Sequence, residues 1–418
     1  MFSRDAKLYL AHGVLVSLAW GITSVLFNLY LLEAGLSKES VGVFLSAAMF
    51  VTAALALLAG AIADRMSRRT IILLGGIVSL ATAAVQYSFI DLSILIVSQL
   101  FAGTASAFSS VSWNSYASDL SSDQERAHLF GIGSGLSMLA FLAGNLSGGF
   151  LPNIISTLLT SADIVLLYRC SLWVSIVPEG LGIAMVYLMA PDRSLQHRTP
   201  HPRRMIRPLS NVRHWRLILS YATTVSIIGF GAGMIVMFFN IFFKEVYDLS
   251  PELIGTVFAL NTLVLASGNL VAPALSDRLG KVKTVVLTEA LSIPFLVMLS
   301  LDTPVYWAIC AFVMRNVMMN MAGPVSTAFL MENLSRDERA TATGIVTTGD
   351  QAVRGIAAII AAQLLEAGRY REPYLIAAML YVVAIILFYA LFRDIEAKSL
   401  ELKRASVDLK QVPDIEAT

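Results

Sequence analysis

The sequence predicts an all-α integral membrane protein: twelve transmembrane helices in two six-helix bundles, related by a pseudo-two-fold axis along the membrane normal. Three observations carry this. Hydrophobic residues make up 56% of the 418 positions and charged residues 14%, with a mean hydropathy of +0.72, far from soluble averages. The apolar runs have the length a bilayer requires, about 20 residues each. The chain also repeats itself. Gly60-Ala-Ile-Ala-Asp64-Arg65-Met66-Ser67-Arg68-Arg69 is answered by Pro273-Ala-Leu-Ser-Asp277-Arg278-Leu279-Gly280-Lys281, so Asp277 stands 213 residues after Asp64. Asp123-Gln-Glu125-Arg126-Ala127 is answered by Asp337-Glu338-Arg339-Ala340 at the same offset, and the halves align without a gap.

The predicted spans follow in order. The first runs over 8–32, is too long for a cleaved leader, holds Asn28 and ends at Glu33. Spans over 41–63 and 71–90 flank the first charged turn, and 93–117 and 128–150 flank the second. The sixth, 168–190, closes the first half. The second half repeats the pattern over 216–243, 252–275, 284–301, 305–330, 341–366 and 373–392. The domains are therefore 1–190, a basic linker at 191–215, 216–393, and a tail at 394–418 that reads as a solvated helix or a disordered end.

Charge sets the orientation. Of the 30 Lys and Arg, Lys38, Arg169, Lys244, Arg369 and Arg371 fall on one side, Arg315 and Arg354 fall within spans, and all the others lie on the side of the termini. The positive-inside rule makes that side cytoplasmic, with both termini there. The linker carries Arg193, Arg198, Arg203, Arg204 and Arg207 among three prolines. Between two spans, such a run is expected at anionic headgroups, with no nucleic acid involved.

The repeated loops resemble the major facilitator superfamily, which carries G-x-x-x-D-R-x-G-R-R/K in its second loop and a degenerate copy in its eighth; here Ser67 and Pro273 replace two of the glycines. The resemblance covers Lys7 to about Arg393. It implies a gating network on the cytoplasmic face. Asp64 would meet the start of the eleventh span near Ala340, and Asp277 the start of the fifth near Ala127. Arg65, Arg68, Arg278 and Lys281 would complete it. The alternative is that these charges are simple inside anchors. Ala143-Gly144-Asn145-Leu-Ser-Gly148-Gly149 is similar to the G-P-x-x-G-G element of the superfamily's antiporters, with Asn145 in the place of proline; small residues at this spacing equally suit close helix packing. The antiporters' fourth-span arginine is absent, Gln99 to Gly103 occupying that place, and the first span has no acid at mid-depth.

Cys170 and Cys310 lack the spacing of a zinc or redox pair, the five histidines do not cluster at mid-membrane, and no strand precedes Gly131-Ile-Gly133-Ser-Gly135. Neither a metal, a cofactor nor a nucleotide is expected, and no nucleophile–base constellation suggests an enzyme. Ionisable groups at mid-membrane mark function by default. Glu179, Arg315, Asp350 and Arg354 qualify. Asp350 and Arg354, at i and i+4, share a helix face, and Arg315 on the preceding span is expected at the same pocket. Either Asp350 exchanges a proton while Arg315 holds an anionic or polar substrate group, or Asp350 and Arg354 are a structural pair. Superfamily geometry implies that spans 1, 4, 7 and 10 line a central cavity, giving Trp20, Asn28, Trp113, Asn114, Phe238, Asn240, Arg315, Asn316 and Asn320 as substrate-binding residues. Asn145, Asn261 and Asn269 flank them.

The expectation is a monomeric secondary transporter of the cell inner membrane that exports a small organic or amphipathic solute, with or without exchange for protons. Uptake of a sugar, organic acid or other metabolite, and a non-transporting sensor, are the alternatives.

Overall fold

The computed structural model describes residues 2–63, 66–121, 123–160, 162–190, 212–335 and 337–410, and among these every regular element is helical. Twelve segments are long and apolar enough to cross a membrane. In the first half these are α1 (Arg4–Glu33), α2 (Lys38–Ala63), α3 (Arg68–Ser88), α4 (Leu92–Asp119), α5 (Asp123–Leu159) and α6 (Ile164–Leu188). In the second half the seventh span is interrupted: α7 (Trp215–Ile235) passes through a 3-10 turn, Val236–Phe238, into α8 (Phe239–Tyr247). It is followed by α9 (Pro251–Leu279), α10 (Lys281–Ser300), α11 (Val305–Glu332), α12 (Arg339–Glu366) and α13 (Glu372–Lys410).

Short polar residues start these helices by accepting amides that the first turn leaves free. Ser3 takes the amide of Ala6, Asp91 those of Ser93 and Ile94, and Asp163 those of Val165 and Leu166. Ser67, in the place of the motif glycine, takes the amide of Thr70 and caps α3. Between α9 and α10 the chain turns at Gly280 with φ at 87°, a conformation only glycine adopts without strain.

The duplication is visible in the packing. Helix α1 lies against α5 and α6, as α7 lies against α12 and α13; α3 packs on α4 and α6, as α10 packs on α11 and α13; α2 packs on α4, as α9 packs on α11. Helices α2 with α12 and α5 with α9 join the halves, each pair the image of the other. Two ion pairs repeat the 213-residue offset: Arg68 to Asp119 at 2.5 Å and Lys281 to Glu332 at 3.0 Å.

Glycines allow the closest approaches. A methyl group on Gly21 or Gly144 would overlap the backbone of the other's helix, and one on Gly148 would lie 2.8 Å from the carbonyl of Ile22. Gly149 and Gly255 do the same between α5 and α9. The small-residue run in α5 thus packs α5 against both halves.

Two helices outrun their predicted spans. Helix α5 continues nine residues past 150, through Pro152, and α13 continues to Lys410 as a helix beyond the apolar stretch. Residues 191–211 of the basic linker, Asp64 and Arg65 lie outside the described residues.

Candidate functional site

Hydrogen bonds between the halves sit at mid-depth and toward one face, opposite the face where α1 begins. Nearest that opposite face, Lys38 at the start of α2 reaches across to the second half. Its amide donates to Glu366 at 2.7 Å, and its ammonium lies 2.6 Å from the Tyr370 hydroxyl and 2.9 Å from Glu245. Tyr370 in turn donates to Glu245 at 2.6 Å. One layer deeper, Asn28 donates to the Met237 carbonyl at 2.7 Å and to Asn240 at 3.1 Å, while Asn240 donates back to the Val25 carbonyl at 3.2 Å. The 3-10 turn before α8 frees the Met237 carbonyl for this bond. At mid-depth Asn145, fully buried, accepts from Ser24 at 3.0 Å and donates to Thr262 at 3.3 Å, tying α1, α5 and α9 together. Thr348 donates to the Ala53 carbonyl between α12 and α2.

Toward the terminal face α2 and α12 stay in contact, Gly344 against Leu57, while a methyl group on Gly131 or Gly135 of α5 would meet no atom within 4 Å. Trp20, midway along α1, is 60% exposed although α5 and α6 flank its helix. The interior opening therefore faces the terminal side.

The residues expected at a substrate site take several different places. Trp20 lines the opening, and Asn320 of α11 is exposed. Asn28 and Asn240 form the seal just described, and Phe238 is core at 2% exposure. Trp113 stacks on Tyr9 at 3.8 Å with the His12 ring 4.8 Å away, closing α4 on α1. The side chains of Asn114 and Asn269 lie outside the description. Arg315 is 3% exposed; it donates to Asn316 at 2.7 Å and to the Tyr381 hydroxyl at 2.5 Å, and its Nε has no partner. Asn316 passes the line on to Asn261 at 3.1 Å, and Asn320 donates to the Asn316 carbonyl.

Asp350 and Arg354 pair at 2.7 Å, partly exposed, with Asp350 against Gly229 and Arg354 against Gly233 of α7. The pocket expected to join Arg315 to this pair is not formed, because consecutive helices here are not neighbours. Helix α11 packs on α9 and α10, whereas α12 packs on α2 and α7. Glu179 accepts from Ser79 at 2.7 Å between α6 and α3. Of the expected gating set, Arg68 and Lys281 bond within their own halves, and Asp277 and Arg278 are exposed with no ion pair among the described residues.

On the terminal face Glu338, 2% exposed, accepts the amides of Arg213 and His214 at 2.6 and 3.0 Å, ahead of α7. Its other oxygen meets the Ser335 hydroxyl and the His214 ring. Burial raises its pKa, but these bonds from Ser335, His214 and Arg213 outweigh it and hold the carboxyl well below the usual carboxylate range.

Three features escaped sequence reasoning: the Lys38 network, Tyr381 beneath Arg315, and Glu289 in α10. Lys38 carried a signal, being one of few cations on its side. Among the described residues no group of His, Cys, Asp and Glu is arranged to hold a metal.

A sequence model of the Major Facilitator Superfamily matches residues 10–348 and again 223–412. No functionally curated protein matches in sequence. Among solved structures, the nucleoside transporter NupG superimposes with a TM-score of 0.72 at 14% identity, over 93% of this chain and 99% of its own. A D-xylose–proton symporter gives 0.72 at 12%, over 92% and 97%. The human organic anion transporter MFSD10 (TETRAN) gives 0.65 at 15%, over 92% and 99%.

Proposed function

This chain belongs to the major facilitator superfamily, and we propose that it exports a small organic or amphipathic solute by alternating access, in exchange for protons. It is a multi-pass membrane transporter and not an enzyme. The supporting observation is the one-sided arrangement of the bonds between its halves: Lys38, Asn28 and Asn240 bar one face, while Trp20 stands open to the other. Rocking two like bundles about that contact exchanges the open face, as in other transporters built from repeats. Arginine placement makes the open face cytoplasmic, so a solute binds from the cell interior at Trp20 and Asn320. The Arg315–Asn316–Asn261 line supplies donors for a polar or anionic group. Asp350, whose Oδ1 is buried without a partner, carries the exchanged proton. Asp64 and Arg65, with Arg68, Asp277, Arg278 and Lys281, lock the cytoplasmic face when the outer one opens. A monomer in the cell inner membrane suffices for this cycle.

Uptake of a sugar- or nucleoside-like metabolite is the second reading. The fold likeness to a D-xylose–proton symporter and a nucleoside transporter favours it.

A thermal-shift screen of the purified protein against metabolites and drugs identifies the solute. Counterflow in proteoliposomes then decides direction. Export coupled to protons predicts accumulation that collapses with the proton gradient, and binding without accumulation in Asp350→Asn. Full accumulation in that variant removes Asp350 from the mechanism.

A further inference from the structure

Each half holds one carboxyl buried in the same seam at the same depth. Glu179 lies nine residues from the end of α6, about 14 Å in at ~1.5 Å per residue. Glu289 lies eight residues into α10, about 12 Å in on the same reckoning. Both depths are measured from the terminal face, and the α3–α6 seam of one half corresponds to the α10–α13 seam of the other.

Their surroundings differ. Ser79 gives its hydroxyl to Glu179. The equivalent of Ser79 is Ser292, 213 residues on, and its hydroxyl is spent on the backbone carbonyl of Glu289 at 2.6 Å. Glu289 is 5% exposed, its Oε2 is sealed from solvent, and its carboxyl makes no hydrogen bond among the described residues.

Among the described residues no cation pairs with it. On its own helix, Lys281 is held by Glu332 and Lys283 is exposed. On α11, Arg315 faces Asn316 and Tyr381. On α13, Arg393 lies beside Asp394, and Glu396 caps the first amides of α10. On α9, Asp277 and Arg278 are exposed. On α7 the hydroxyl of Tyr221, itself buried, lies 2.8 Å from that of Ser326 on α11. An ionised carboxylate in such a place costs several kcal/mol, so the group is kept as the neutral acid.

We propose that Glu289 is a proton-binding site inside the second half, loaded in the inward-opening conformation and unloaded when rocking rearranges the helices around it. Protonation of Glu289 stands on its surroundings alone; its coupling to rocking rests on the alternating-access reading.

Infrared difference spectra of the protein in lipid nanodiscs, titrated with pH, read the first part. The wild type shows a protonated-carboxyl band at neutral pH that Glu289→Gln removes and Glu179→Gln retains. Alkylation of Gly135→Cys, in a background without Cys170 and Cys310, reads the second. Its rate changes with pH over the range in which that band titrates, and in Glu289→Gln it stays at the low-pH value throughout. A spectrum unchanged by Glu289→Gln overturns the site. A lost band with an unchanged pH response of alkylation overturns the coupling while leaving the site in place. Glutamine matches the neutral acid in shape, so failure of Glu289→Gln to fold also counts against the proposal.

Discussion

Single polar side chains carry the connections between helices in this chain, and two of them yield measurable predictions. Asn145 has both ends of its amide engaged, one in each half. Asn145→Ala removes both bonds of this fully buried amide, to Ser24 and to Thr262, although the Ser24 hydroxyl keeps the Gly21 carbonyl at 2.8 Å; the cost is about 0.5–1.5 kcal/mol for each bond. The expected result is a melting temperature lowered by several degrees in detergent, whereas Asn145→Asp is worse, because it also buries a charge. Equal melting of Asn145→Ala and the wild type would show that the knot is dispensable. Glu338 acts from the loop before α12 as the cap of α7, whose own cap residue His214 gives no side-chain bond. Its negative charge also suits the positive end of that helix. Because its folded pKa is depressed, its contribution is complete above the unfolded value of about 4.3 and is lost as pH falls from there toward the folded value. Glu338→Gln therefore costs about 1–2 kcal/mol at pH 7, and the gap to the wild type narrows as the pH of the melt is lowered below about 4. A gap independent of pH removes the ionised carboxylate from the account.

Whole helices were legible where one physical signal dominates. Twelve spans follow from hydropathy, because lipid demands a long apolar run whatever the tertiary context. Ends were legible only where that signal coincides with the helix. Helix α13 continues past Phe392 into charged residues, where water replaces lipid but helical propensity persists. The break in α7 near Val236 has no proline to announce it, and the Met237 carbonyl it frees is taken by Asn28, a partner 209 residues away that local sequence does not reveal. The site was less legible, because order along the chain does not give adjacency in a bundle. Arg315 and Asp350 lie on successive helices that pack against different partners, and no motif in the sequence marks Glu289. The α5 glycines were read as either an exchanger element or a packing surface, and their packing role gives a sharp contrast. Gly144→Ala places a methyl group into the backbone of α1, whereas Gly131→Ala points into open space. Overpacking of this kind costs typically about 1–3 kcal/mol, so Gly144→Ala should cut the yield of folded protein on size-exclusion chromatography several-fold, and Gly131→Ala should leave it unchanged. Similar yields from both would mean that α1 and α5 are free to separate.

At the scale of the molecule, the balance between its two faces decides what it does, and Lys38 is where that balance is most accessible. Its ammonium meets Glu245 and Tyr370, and its amide meets Glu366, all on the second half. The side chain is 20% exposed and Glu245 33%, so water screens the pair and its worth is about 1 kcal/mol rather than the several of a buried bridge. About 1.4 kcal/mol is tenfold in an equilibrium constant, so breaking this one contact moves the distribution without locking it. Lys38→Ala keeps the backbone amide bond to Glu366 and removes the charge; the expected shift toward opening on the opposite face is about three- to tenfold. Two reporters read it in opposite senses. Alkylation of Gly135→Cys from the terminal face slows, and Trp20→Cys becomes reachable from the other side by a reagent that does not cross the membrane. High salt produces a smaller change of the same sign in the wild type and none in Lys38→Ala, since it screens only the pair the variant lacks. If both labelling rates in Lys38→Ala match the wild type, the bonds on this face are packing that survives every state. The seal would then have to lie deeper, at Asn28 and Asn240, where a matching Asn240→Ala variant would show the same shift that Lys38→Ala did not.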